Sequence, residues 1–337
     1  MDQLRGVLSA WAFRSEFAYS WFGETFVVVP PRLRKSLSAE QIRETMQLAL
    51  RDRLYTDFYC RGGAQPQQVA PPSRSGRFGI FAQRLGLPLQ GREGWECGWR
   101  LVDPKSWSAG VAHVAVVRNG LTLWIDRERV RHAEEARVDS ARSVELLLPR
   151  LRPQLSLGYL FALGAKDIAD DTPTLVRLYW HLTPSIAAQW LSEAATRLDE
   201  LGVGHHLKVL DEPGAFVRCD AAVIYLPAPE LQKAQPALHA LQRRLVAHLH
   251  PVVPAWTLRL ARGVGAAVDP RSNTSFGQHR CQILAEALLS AHDSGSKAPE
   301  PCLDHVVRFA LARGVDVAQP YRFIHDDPIA LWEDHDA

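Results

Sequence analysis

Apolar and polar residues alternate in the second half of the chain in the manner of β-strands. In segment 175–182, apolar residues alternate with Arg177, Tyr179 and His181, which predicts a strand with one buried face. Segment 203–210 alternates in the same way and places His206 and Lys208 on one face. The two patterns predict neighbouring strands whose polar faces carry cationic and imidazole side chains.

A third strand-like run covers residues 215–227. Alternation places Arg218 and Asp220 together on one face and Tyr225 on the other. If the three strands pair in one sheet, one surface gathers several cations and a carboxylate. Such a surface is suited to holding an anion.

Helical patterns surround these strands. Ser38 followed by Gln41 fits a capping box and predicts a helix that begins there. Thr183 and Pro184 predict the start of another helix, which ends at Gly202. Further helices are predicted over residues 230–250, 274–291 and 301–313.

The first half of the chain is less regular. Asn119 and Gly120 stand between two apolar runs and predict a hairpin turn. The segment 127–150 is charged and indicates a helix or an exposed connection, and Trp95 and Trp99 indicate a braced turn. The mixture predicts an α+β fold, with a mixed or antiparallel sheet, helices packed on one face and an irregular N-terminal half. We expect a helical and hairpin region at 1–150, a candidate docking region for a peptide or a kinase, and an α+β catalytic region at 151–337, which could form one continuous domain.

Arg280 occupies an unusual position in the predicted helix 274–291. At about 100° per residue it falls within the apolar stripe that includes Phe276, Ile283 and Ala287. A buried guanidinium needs a paired carboxylate or an anionic ligand. Two interpretations follow, which are a salt bridge to Asp220 or Glu286 and a bond to a ligand phosphate.

Composition narrows the class of protein. The chain has 337 residues, of which 47% are hydrophobic and 23% charged, as in ordinary globular proteins. A net charge of +2 gives no reason to expect nucleic acid or a membrane as partner. The five cysteines show no zinc spacing, and no signal peptide or run of 18 apolar residues is present. We therefore expect a cytoplasmic protein with reduced cysteines.

Motifs of several enzyme classes are missing from the sequence. It contains no phosphate-binding loop, no complete dinucleotide-binding motif, no H-E-x-x-H metal motif and no kinase signature. We expect neither a metal site nor a cofactor. For Lys208 and the histidines, an ordinary surface or hydrogen-bonded sheet position is the competing interpretation.

Several segments together resemble a known family. They are LYTDFYCRGG (54–63), WECGWR (95–100), LVRLYWHLTP (175–184), HLKVLDEPGAFVRCDAAVIYL (206–226) and DPRSNTSFGQHRCQILAEAL (269–288). These segments look like the HopA-type family, first described as secreted effectors of plant-pathogenic bacteria. Members also occur in gene clusters for ribosomally made, post-translationally modified peptides, including class V lanthipeptides and thioamidated peptides. The resemblance runs from about residue 50 to the end, and the block from Ser275 to Leu288 is its most specific part.

In the second setting the resemblance implies a metal-independent phosphothreonine/phosphoserine lyase. A separate kinase-like phosphotransferase would phosphorylate the precursor peptide, and the lyase would eliminate phosphate to leave dehydrobutyrine or dehydroalanine. The alternatives are a non-catalytic effector and a phosphopeptide-binding protein that delivers its peptide to the kinase.

This chemistry assigns roles to the candidate residues. Elimination needs a base near neutral pKa, and a lysine among cations can supply one, so Lys208 is the expected base. Guanidinium groups stabilise the leaving phosphate. His206 is the expected general acid and His181 its rival, while Asp220 would orient an arginine or the acid. The expected phosphate ligands are Arg218, Arg280 and Arg177, and Tyr225 is expected to donate a hydrogen bond nearby.

Overall fold

The computed structural model describes residues 1–63, 79–108, 110–133, 142–270, 272, 274–296 and 298–326. Its helices are α1 (Asp2–Ala10), α2 (Ala39–Asp57), α3 (Ile80–Gly86), α4 (Lys105–Ser108), α5 (Ala187–Glu200), α6 (Leu231–Leu245), α7 (Phe276–Asp293) and α8 (Pro299–Ala312). Its strands are β1 (Trp11–Ser15), β2 (Ala18–Trp21), β3 (Glu24–Val27), β4 (Glu93–Leu101), β5 (His113–Arg118), β6 (Leu121–Asp126), β7 (Val130–His132), β8 (Ser143–Pro149), β9 (Leu151–Ser156), β10 (Tyr159–Leu163), β11 (Leu175–Trp180), β12 (His206–Leu210), β13 (Ala222–Pro227), β14 (Leu258–Ala261) and β15 (Val264–Val268).

A seven-stranded sheet forms the centre of the second half. Its order is β14-β15-β11-β13-β12-β10-β9, and each neighbouring pair is antiparallel. The predicted strands at 175–182 and 203–210 are both present, as β11 and β12. The predicted α+β class and the antiparallel sheet are confirmed.

Helices cover both faces of this sheet, so the prediction of helices on one face is wrong. Val176, Leu178 and Trp180 of β11 pack with residues of α5 and α6 in one core cluster. Tyr179 of the same strand packs with residues of α2 and α7 in a second cluster. Because both faces are covered, β11 is almost completely buried instead of half-buried as its alternation predicted.

The second cluster joins distant parts of the sequence. Met46, Leu50 and Leu54 of α2 lie in it with Phe276 and Leu284 of α7. The helix α2 begins at the predicted capping box, in which Ser38 and Gln41 exchange both bonds, and α7 begins at an equivalent box. Residues before and after position 150 therefore share one hydrophobic core.

The first half contains two smaller antiparallel sheets, β1-β2-β3 and β6-β5-β4-β8-β7. The predicted hairpin is confirmed as β5 and β6, and Asn119 and Gly120 both have positive φ, as the tight turn requires. The prediction for 127–150 is corrected, because β7 and β8 occupy much of it. Trp95 and Trp99 lie within β4 and not in a turn. Residues 134–141 of this segment lie outside the described residues.

In the described part of the chain, no helix combines the length and apolar character needed to cross a membrane.

Candidate functional site

Lys208 lies on β12, on the sheet face that α2 and α7 cover. In the antiparallel register it is opposite Phe161 of β10 and Val223 of β13. Its ammonium lies 3.8 Å from the centroid of the Tyr159 ring. The side chain is partly exposed, and within the described residues no hydrogen-bond acceptor pairs with its amine. The amine is therefore held against a ring but remains open to a ligand.

The surroundings of Lys208 favour its neutral form. Burial lowers the pKa of the amine to about 8; Asp220 opposes this shift, and the positive charges of Arg177 and Arg218 add to it. A lysine with a pKa near 8 carries a substantial fraction of free amine close to neutral pH, which is what a general base requires.

Arg218 and Asp220 form the centre of a hydrogen-bond network beside Lys208. The Nε and Nη2 of Arg218 donate to the two carboxylate oxygens of Asp220 at 2.9 and 2.7 Å. The same Nη2 donates to the hydroxyls of Tyr55 and Tyr159 at 3.1 and 2.9 Å. Both phenols in turn donate to Asp220 Oδ2 at 3.2 Å. Every member fixes the orientation of the others.

One edge of the Arg218 guanidinium is left open by this network. All four of its hydrogen bonds use Nε and Nη2, so its Nη1 is available. The Arg218 side chain is 30% exposed, whereas that of Asp220 is 6% exposed. Burial raises the pKa of Asp220, but Arg218, Lys208 and Tyr55 together hold it below its usual value, so the carboxylate stays ionised. The arrangement is a preorganised guanidinium with one edge facing outward.

Arg218 and Asp220 reach this position from a turn and not from a strand. The residues Pro213–Val217 form a 3-10 helix, and β13 begins only at Ala222. The prediction of one continuous strand over 215–227 is therefore wrong in its first half. For the same reason the alternation that put Tyr225 on the opposite face does not apply.

Tyr225 lies on the same sheet face as Lys208. It is opposite His206 on β12 and opposite Arg177 on β11. The Arg177 guanidinium carbon lies 5.1 Å from the Tyr225 ring centroid, and its Nε donates to Asp269 at 2.5 Å. The charge of Arg177 is therefore largely balanced by Asp269.

His206 is paired with an acid. Its Nε2 lies 2.5 Å from Asp167 Oδ1. Burial raises the pKa of Asp167, but the hydrogen bond and charge of His206 hold it below its usual value. Asp167 also lines a cleft of about 860 Å³ between the five-stranded sheet and the segment 165–173. The imidazole thus contacts an acid that lines this cleft, and it shares a strand face with Lys208, two residues farther along β12.

The rival acid, His181, has a different environment. It lies just beyond β11, its Nδ1 is 2.9 Å from the Val252 carbonyl, and its ring lies 4.5 Å from that of His250. Burial lowers the pKa of His181 to about 4. It is therefore neutral at neutral pH and is poorly suited to donate a proton as imidazolium.

Arg280 binds the C-terminal segment and not a carboxylate. Its Nε and Nη2 donate to the carbonyls of Pro320 and Arg322 at 2.7 and 3.2 Å. Its guanidinium carbon lies 4.8 and 4.5 Å from the rings of Phe276 and Phe323. The salt bridge to Asp220 or Glu286 is wrong, because Arg218 holds Asp220 and Arg313 holds Glu286. Of the hydrogen bonds made by Arg280, none joins it to the Lys208 network.

Three residues near the Arg218–Asp220 pair were not predicted. Tyr55 and Tyr159 belong to the Arg218 network, and Arg61 lies beside Cys219, the residue between Arg218 and Asp220. Tyr55 and Arg61 stand in the LYTDFYCRGG segment, so the resemblance marked their region without indicating a role. Tyr159 left no signal, because it reaches the site only through the pairing of β10 with β12.

Among the described residues, no group of three or more His, Cys, Asp or Glu side chains is placed to hold a metal ion. The chemistry available at the site is that of an amine, guanidinium groups, phenols and one carboxylate. Together they can bind an oxyanion and remove a proton beside it.

Comparison with known proteins supplies the family. The chain is similar in structure to the effector protein of Pseudomonas syringae pv. tomato strain DC3000, with 16% identity, a TM-score of 0.45, and coverage of 87% of this chain and 96% of that one. The effector protein of Pseudomonas syringae pv. syringae strain 61 gives 15% identity, a TM-score of 0.42, and coverage of 83% and 96%. A comparison with curated proteins finds no match. The sequence model of the HopA1 effector protein family matches residues 150–322. This match spans more than half of the chain, which therefore belongs to the HopA1 effector protein family.

Proposed function

We propose that this protein is a phosphothreonine/phosphoserine lyase that acts on a phosphorylated precursor peptide. The observation that carries the proposal is the pairing of an open lysine amine with a guanidinium whose outer edge is free. Lys208 and Arg218 provide these two groups beside the buried Asp220. The resemblance to the HopA-type family, members of which occur in gene clusters for modified peptides, is the second support.

The reaction follows from these groups. The neutral amine of Lys208 takes the proton from Cα of the phosphorylated residue. The electron pair of that C–H bond forms the Cα=Cβ double bond, and the Cβ–O bond breaks. Phosphate leaves with the electrons of the broken bond, and Nη1 of Arg218 stabilises its growing charge. One well-placed donor of this kind contributes about 3–4 kcal/mol to transition-state stabilisation.

The general acid is assigned to His206. Its pairing with Asp167 orients the ring, which can then pass a proton to the departing oxygen. Because Asp167 lines the cleft of about 860 Å³, we propose that the peptide lies in this cleft and presents its phosphorylated residue toward Lys208. The peptide would come from a separate kinase-like phosphotransferase, and the site would be used in the cytoplasm during biosynthesis of a modified peptide.

The test is incubation of the pure protein with a synthetic phosphothreonine peptide, read by mass spectrometry. Elimination lowers the peptide mass by one phosphoric acid, hydrolysis restores threonine, and binding alone leaves the mass unchanged. We expect elimination, and a reduction of at least about a hundredfold in Lys208→Ala, the usual contribution of a general base. Lys233→Ala, at an exposed lysine of α6, is the matched control.

Two results would contradict the proposal. If the Lys208→Ala variant eliminates phosphate at the wild-type rate, Lys208 is not the base. An unchanged peptide mass with the wild-type protein would instead favour a non-catalytic effector or a phosphopeptide-binding protein.

A further inference from the structure

Arg61 ends a 3-10 turn, Tyr59–Arg61, that is fixed to the proposed site through its backbone. The Cys219 amide donates to the Cys60 carbonyl at 2.7 Å, and the Ala255 amide donates to the Tyr59 carbonyl at 3.0 Å. The first bond ties the residue before Arg61 to the residue between Arg218 and Asp220. The position of Arg61 is therefore set by the same segment that positions Arg218.

The residue after Arg61 reinforces this placement. Gly62 has a φ of +67°, and a Cβ there would lie 2.2 Å from Val252 Cγ1 and 2.4 Å from the Val253 carbonyl oxygen. Only glycine fits this left-handed conformation and close approach. The backbone at Arg61 is thus tightly packed on both sides.

The guanidinium of Arg61 is incompletely satisfied. Its Nε is buried and has no hydrogen-bond partner, and no salt bridge found between described residues includes it. A buried donor without a partner lowers stability, and more so when it is charged. A ligand that accepts from this group would remove that cost.

The local charges indicate an excess of positive charge. Burial raises the pKa of the Cys219 thiol to about 12; Asp220 adds to this rise, while Arg61 and Arg218 oppose it. Both guanidinium groups therefore act on the same small region as Asp220. Two guanidinium groups at one site match an anion of charge −2 better than a monoanion.

We propose that Arg61 is a second guanidinium ligand of the Arg218 site and that the pair selects the dianion of a phosphate monoester. This inference rests on the proposed function only in identifying the bound phosphate as that of the substrate. A phosphate monoester loses its second proton at a pKa of roughly 6 and is a dianion at pH 8. A diester carries one charge and would leave one guanidinium unmatched.

A second cation also has a chemical role. A bound dianion next to Lys208 would raise the pKa of the amine and so reduce the free base. A second positive charge beside the phosphate offsets this effect. Arg61 thereby helps to keep Lys208 neutral while substrate is bound.

The binding test uses methyl phosphate and dimethyl phosphate as probes, measured by calorimetry at pH 8. We expect the wild type to prefer methyl phosphate. Arg61→Ala should bind it about 10- to 100-fold more weakly, the usual effect of one charge-assisted contact. Arg61→Lys should be intermediate, because lysine keeps the charge but not the fork. Arg43→Ala, at an exposed arginine paired with Asp293, is the control and should bind like the wild type.

The kinetic test uses the phosphothreonine peptide. In Arg61→Ala the apparent pKa in the pH profile of kcat should move upward, a shift that a purely structural role would not produce. A folded Arg61→Ala with wild-type affinity for methyl phosphate, or a wild type that binds neither ester, overturns the inference. If Arg61-dependent binding is found but no peptide is eliminated, the inference stands and the lyase proposal fails.

Discussion

At the scale of single residues, Lys208 determines how the proposed reaction depends on pH. Only the neutral amine can accept a proton, and its pKa is lowered to about 8 by burial and neighbouring cations. The elimination rate from saturating phosphopeptide should therefore rise as the pH increases through about 8. The measurement is kcat between pH 6 and 10. A rate that is flat over this range would exclude Lys208 as the base.

The choice of Lys208 and of its neighbours shows what alternation can predict. Lys208 and His206 share a face because residues two apart in any strand do so, and the structure confirms this prediction. Arg218 and Asp220 were correctly grouped with each other but for the wrong reason, since a turn and not a strand presents them. Tyr159 could not be found, because its place depends on which strand pairs with β12, and local sequence does not encode that choice.

At the scale of elements, the contact between α7 and the Tyr59–Arg61 turn depends on Gly277. A Cβ at this position would lie 2.3 Å from Cε1 of Tyr59, so Gly277→Ala must displace the ring or the helix. We expect a loss of about 1–3 kcal/mol in the free energy of unfolding, measured by urea denaturation.

The matched control is Gly6→Ala in α1, where an added Cβ meets nothing within 4 Å. It should stabilise the protein by about 0.5–1 kcal/mol, because alanine is the better helix former. Equal effects of the two substitutions would show that the α7 contact does not constrain Gly277.

Arg280 is expected to stabilise the docking of the C-terminal segment on α7. Arg280→Met keeps an apolar chain between Phe276 and Phe323 but leaves the carbonyls of Pro320 and Arg322 without their donor. Unfolding free energy should fall by on the order of 2–3 kcal/mol, while the affinity for methyl phosphate stays unchanged. Arg308→Met, at an exposed position of α8, is the control. Loss of methyl phosphate binding with unchanged stability would restore Arg280 as a phosphate ligand.

The helices illustrate why the periodic pattern predicted so much of the element order. Capping boxes and apolar stripes are local signals, so α2 and α7 were predicted near their true starts. The covering of both sheet faces was not predictable, because β11 places Tyr179 against α2 and α7 from a position that reads as polar. Tyrosine is compatible with either environment, and only the packing of distant helices decides between them.

At the scale of the whole molecule, two buried histidines should make the fold sensitive to mild acid. His181 and His205 are 7% and 0% exposed, and burial lowers the pKa of each from 6.5 to about 4. Between these values the unfolded chain binds more protons than the folded one, so stability falls as pH decreases. At pH 5 the loss is about 2 kcal/mol per histidine relative to neutral pH.

This prediction is checked by urea unfolding at pH 7 and pH 5. The unfolding midpoint should fall at the lower pH. A midpoint that does not change between pH 7 and 5 would show that these imidazoles are protonated without cost. The carboxylates Asp167 and Asp220, with pKa values held below 3.8, do not contribute in this range.

The backbone bonds that join the Tyr59–Arg61 turn to Cys219 and Ala255 bear on how this protein can be shortened or transplanted. The family match begins at residue 150, and a fragment cut there keeps Lys208 and Arg218 but discards Tyr55 and Arg61. Such a fragment would also lose α2, which packs with α7 on the sheet face that carries Lys208. A shortened protein that keeps the proposed site must therefore begin upstream of Ser38. A survey of relatives should include the segment around Arg61.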